Sequence, residues 1–142
     1  MAEKLLMLFI DENKGFRRDY FLEQCSIAAI VCAIYAITKL TIKEALLDDW
    51  LAIFLSGYFL DMVAPFALFA FSNAIFSLFA FRVIRLKPIL LICSIAGFVW
   101  EVIAPRIVPW SIADPIDFIM YMLGGFLYWF AFSKKYTVNH CL

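Results

Sequence analysis

Between Leu22 and Phe132 apolar runs of roughly membrane-spanning length follow one another, and the charged residues gather near their ends. Such runs leave the chain few ways to fold. In lipid every backbone polar group must be satisfied internally, so only helices or a closed barrel can cross. These runs are unbroken rather than alternating, which selects helices. Of the 142 residues 65% are hydrophobic, with mean hydropathy +0.91. An ordinary soluble domain is about 45–50% apolar, and one of this length could not hide so much apolar surface. The residues therefore predict an all-α, polytopic membrane protein with one domain over residues 1–142.

Four spans are expected. The first covers residues 22–40 and ends at Lys39; the third covers 88–104, with Pro88 at its start; the fourth covers 115–132 and stops at Lys134 and Lys135. Residues 50–82 are nearly all apolar, too long for one span and too short for two with a turn. The preferred division makes Glu44 to Leu60 an amphipathic or re-entrant outer interfacial helix and 61–81 the second span, with Pro65 in its first turns. The alternative is one kinked span from Trp50 that buries Asp61. Ahead of the first span, Leu5, Leu6, Leu8, Phe9 and Ile10 predict an N-terminal amphipathic segment lying along the inner membrane surface.

Charge asymmetry sets the expected orientation. With the N-terminus inside, nine basic residues (Lys4, Lys14, Arg17, Arg18, Arg82, Arg85, Lys87, Lys134, Lys135) lie on the cytoplasmic side, against three (Lys39, Lys43, Arg106) outside. Both termini are expected in the cytoplasm.

The stretch GFVWEVIAPRIVPWSIADPIDFIMYMLGG places Glu101, Arg106, Asp114 and Asp117 between two spans. Ionisable groups at a bilayer edge are costly unless they pair, meet water or bind something. Glu101 ends the third span and the two aspartates begin the fourth, so the topology brings them to one membrane face, and Asp61 joins them if the second span starts there. Asp117 and Tyr121 share a helical stripe with Gly124, and Gly124 and Gly125 allow a neighbouring helix to come close. Structural roles stand beside this one. Asp114 before Pro115 has the form of an N-cap, Asp117 suits the helix dipole, and Arg106 can neutralise Glu101. Ser72, Asn73 and Ser77 are expected to hydrogen-bond across helices, and Tyr58, Trp100 and Trp129 to anchor at the interface.

The segment from Glu101 to Gly125 resembles the VanZ-like family of small bacterial membrane proteins. That family has a Glu closing one span, an Arg, paired Asp residues opening the last span and then a Gly, here Glu101, Arg106, Asp114, Asp117 and Gly124. Asp61 matches an Asp opening the family's second span. Where the family follows that Asp with Lys and a nearby His, this chain has Met62 and Pro65, and Tyr121 stands at a common Asn. The resemblance implies a four-span bundle of the bacterial inner membrane with an outward-facing polar site.

The expected function is ligand binding in the cell envelope: a lipid head group, cell-wall precursor or antibiotic held by Asp61, Glu101, Arg106, Asp114, Asp117 and Tyr121. A proton- or cation-coupled transporter is the alternative, and at this size it would act as a homo-oligomer. An intramembrane enzyme comes third, since the single histidine, His140, lies in the tail and no nucleophile stands out. Cys25, Cys32, Cys93 and Cys141 show no metal-ligand spacing, so neither metal nor cofactor is called for. Zero net charge without a basic block argues against nucleic acid as a partner. Glu3, Asp11, Glu12 and Asp19 break the pattern of a signal or transit peptide.

Overall fold

The computed structural model describes residues 11–12, 18–45, 54–55, 57–108 and 114–138. Four helices in it are long and apolar enough to cross a membrane. They are α1 (Arg18–Ala45), α2 (Tyr58–Leu78), α3 (Leu86–Ile107) and α4, which runs from Pro115 to Tyr128 and continues through a π-helical turn at Trp129–Ser133 into Lys134–Val138. Helix α3 carries a similar π turn at Val99–Ile103. The all-α expectation holds, with one addition. A two-residue strand β1 (Asp11–Glu12) pairs antiparallel with β2 (Phe81–Arg82) in the α2–α3 connection, with Asp11 opposite Arg82.

The helix bounds depart from the sequence expectation in physically simple ways. Helix α1 has 28 residues, so it is about 42 Å long against a hydrocarbon core of about 30 Å. Lys39 therefore lies within the helix and does not end it. Glu44 belongs to α1, and Tyr58 to Leu60 form the first turn of α2, so the interfacial helix expected over Glu44 to Leu60 loses both of its ends. Residues 46–53 and 56, with Trp50 and the start of the kinked alternative, lie outside the described residues, as does the amphipathic segment at Leu5 to Ile10. Helix α4 passes through Lys134 and Lys135, because lysines near a helix end can reach the interface without breaking the helix.

Helix α2 packs against α1 and α4, and α4 also packs against α3, which gives the lateral order α1–α2–α4–α3. Two adjacent glycines seat α4 between its neighbours. A Cβ at Gly124 would meet the Met62 carbonyl oxygen of α2 at 2.1 Å, and one at Gly125 would meet Cys93 Sγ of α3 at 2.4 Å. Small residues let backbones approach this closely where lipid supplies no hydrophobic drive for association. The core above that contact is aromatic, with Phe69 stacked on Tyr128 at 5.4 Å and Phe66 edge-on to it at 5.9 Å. Outside, Ile30, Ile37, Phe71, Ile75, Ile95, Ile119 and Phe130 are among many large apolar side chains left exposed. Apolar surface on that scale is abnormal in water and is what a helix presents to lipid.

Candidate functional site

Asp61 at the start of α2, Glu101 near the end of α3, and Asp114 and Asp117 at the start of α4 come together at one end of the bundle. They divide into two groups with different chemistry.

Glu101 and Asp114 tie three helix ends together. Asp114 is the N-cap of α4, and its Oδ1 accepts from the Ile116 backbone N–H at 2.9 Å, with Pro115 at the first helical position. Its other oxygen accepts from the Tyr58 hydroxyl at 2.8 Å, which fastens α2 to the α4 cap. Glu101 Oε2 in turn accepts from the Asp114 backbone N–H at 2.6 Å. Glu101 is buried in the π turn of α3, where the widened helix carries it against the start of α4. Both carboxylates thus satisfy backbone donors that would otherwise be orphaned. Tyr58, expected only as an interface anchor, is a structural partner in this tie.

Asp61 and Asp117 form the second group. Their carboxyl groups lie within hydrogen-bonding range of each other across the α2–α4 contact, and the Tyr121 hydroxyl, one helical turn beyond Asp117, reaches Asp61. All three side chains are half-buried. Two carboxylates at that range repel each other unless a proton or a cation stands between them. Pro65 contributes as well: it has no N–H to give the Asp61 carbonyl, so that backbone oxygen lacks its usual helical donor.

Lys39 of α1 acts on Asp61 by its charge without forming an ion pair, and its Nζ lies 6.0 Å from the Tyr35 ring of its own helix. Arg106, expected beside Glu101, is instead exposed on the last turn of α3, and among the described residues it pairs with no carboxylate. Arg106 stands five positions after Glu101, and helix residues that share a face are three or four apart. Lys39 had a sequence signal, since it ends an apolar run at the same end of the bundle as Asp61. Nothing in the spacing linked α1 to that site.

The opposite end holds a separate polar cluster. Asn73 of α2 donates to the Val83 carbonyl at 3.1 Å and to the Tyr128 hydroxyl at 2.9 Å, and it accepts from the Val83 N–H at 2.6 Å. Tyr128 donates on to Gln24 of α1 at 2.7 Å. Glu23 receives Lys135 Nζ at 2.6 Å and the Tyr136 hydroxyl. Asn73 thus bonds across helices as expected, whereas Ser77 bonds back to the Ala74 carbonyl of its own helix. The two clusters are separated by the close contact at Gly124 and the aromatic layer of Phe66, Phe69 and Tyr128.

Among the described residues no group of three or more His, Cys, Asp or Glu side chains is arranged to hold a metal ion. No family model, curated protein or solved structure matches this chain.

Proposed function

We propose that this chain is a VanZ-like integral protein of a bacterial inner membrane, with both termini cytoplasmic, that binds a cationic head group at the outer end of its bundle. The head group is that of a lipid, a cell-wall precursor or an antibiotic. The supporting observation is the facing of Asp61 and Asp117 across α2 and α4, with Tyr121 beside them. A primary ammonium supplies both the positive charge that relieves the carboxylate pair and the donors that its oxygens and the Tyr121 oxygen accept. Glu101 and Asp114 hold the helix ends in register for this pair and need not touch the ligand.

The transport alternative has less behind it. A conduit needs polar groups through the bilayer depth, and between the two polar clusters the helices press together at Gly124. Ligand binding is tested by melting the purified full chain with and without phosphoethanolamine. Stabilisation follows RT ln(1 + [L]/Kd), so a genuine ligand raises the melting temperature in a saturable way. No shift at millimolar phosphoethanolamine would remove the proposal.

A further inference from the structure

Arg82, in the α2–α3 connection, is the largest fully buried side chain among the described residues, 1% exposed. Its guanidinium carbon lies 5.2 Å from the centre of the Tyr20 ring and 5.8 Å from that of Tyr136. The two rings meet edge to face at 5.0 Å. Among the described residues Arg82 pairs with no carboxylate. Glu23, which holds Tyr136 in this cage, is already engaged: Oε1 accepts from Lys135 and Oε2 from the Tyr136 hydroxyl. Arg82 Nε and the Tyr20 hydroxyl are both buried without a hydrogen-bond partner. A buried cation is costly unless it is paired and hydrogen-bonded. The tyrosine rings offset part of the charge but give Nε no acceptor. A buried water would satisfy a donor and leave the charge. An oxyanion answers both.

Tyr20 stands in the first turn of α1, Tyr136 in the last turns of α4 and Arg82 between α2 and α3. The cage therefore lies at the end of the bundle, the level of the head groups in a leaflet. Tyr136 is only half-buried and forms its outer wall. Arg18, Lys134 and Lys135 are exposed within two residues of the two tyrosines and add positive potential around it.

We propose that Arg82 and the Tyr20 hydroxyl bind a phosphate group, of a phospholipid or of a soluble phosphate, at the end of the bundle opposite Asp61 and Asp117. The guanidinium presents its donors in a fork that fits phosphate oxygens, and the Tyr20 hydroxyl donates to a further oxygen. This site is independent of the head-group site, and either can fail alone.

The test follows melting of the full chain in an uncharged detergent with three additions at constant ionic strength. They are phosphatidylglycerol, diacylglycerol (the tails without phosphate) and inorganic phosphate. Phosphatidylglycerol or inorganic phosphate should raise the melting temperature saturably, beyond any effect of diacylglycerol. A shift with inorganic phosphate marks the soluble ion as sufficient, and a shift with phosphatidylglycerol alone assigns the phosphate to the lipid. Tyr20→Phe deletes a buried hydroxyl that has no partner, so it should fold. It should weaken phosphate about tenfold, the scale of one hydrogen bond to a charged group. Arg82→Gln should abolish the shift, and Lys87→Gln, at an exposed position, should leave it nearly unchanged. No shift in the native chain beyond that of diacylglycerol would overturn the site. So would a shift that Tyr20→Phe leaves intact, or one that Lys87→Gln removes as fully as Arg82→Gln. A phosphate response absent from the native chain but present in Asp11→Asn would overturn it too. Asp11 stands opposite Arg82 in the strand register, and the chain would then supply its own counter-charge. The native chain and Tyr20→Phe decide the matter even if Arg82→Gln does not fold.

Discussion

The carbonyl of Met62 lies against Gly124 so closely that a Cβ there would sit 2.1 Å from its oxygen. That contact sets the distance between α2 and α4, and through it the spacing of Asp61, which adjoins Met62, and Asp117, about two turns before Gly124. The obstructing atom is backbone, so no side-chain rotation can make room.

Gly124→Ala should therefore push the two helices apart and destabilise the fold by about 1–3 kcal/mol, the range for overpacking. Gly97→Ala is the control. A Cβ there would meet the Phe118 ring at 2.8 Å, and a ring can turn. Melting in detergent should show a clearly larger loss for Gly124→Ala. Equal losses would mean that the α2–α4 approach is not tight.

Asn73→Ala should cost about 1–3 kcal/mol by leaving the buried Val83 N–H without its acceptor. Asn73→Asp keeps an acceptor for Val83 but cannot donate to the Val83 carbonyl or to Tyr128 when ionised. It should rescue little. A stable, fully folded Asn73→Asp would show that the two donated bonds contribute nothing.

Much of this was legible in the sequence. Apolar runs marked the four helices, and the Gly124–Gly125 pair marked close packing, because both signals are local. Asp114 before Pro115 read as an N-cap and is one. What escaped depended on contacts between distant segments. The Tyr58 bond to Asp114 spans 56 positions, and the Asp11–Glu12 strand forms only because the α2–α3 turn offers a free edge at Phe81–Arg82. Arg106 was misjudged for a subtler reason. It stands five positions after Glu101, and lying in the same connection does not put it on the same face, which joins residues three or four apart.

Asp114→Ala should lower stability by about 0.5–2 kcal/mol through the lost cap and, in addition, release Tyr58. Tyr58→Phe removes the second effect alone and should cost about 0.5–1.5 kcal/mol. In a double-mutant cycle the two losses should fall short of additivity, as they do for groups sharing one bond. Full additivity would mean that the Tyr58–Asp114 bond does not form.

The proposed orientation rests on nine basic residues on one side and three on the other. A reporter active only in the periplasm should be silent when fused after Leu142 and active when placed in the connection at 106–112. The reverse pattern would invert the bundle and put the carboxylate pair on the cytoplasmic face.

The Asp61–Asp117 pair is tested most directly by titrating Asp117→Asn with phosphoethanolamine beside the native chain and following the melting temperature. Asparagine keeps the shape of the side chain and loses the negative charge, so the ligand-free melt should change little. The native chain should gain about 2.7 kcal/mol at a hundred times Kd, and Asp117→Asn should gain almost nothing. An Asp117→Asn variant that is stabilised as strongly as the native chain would contradict a ligand held between these two carboxylates.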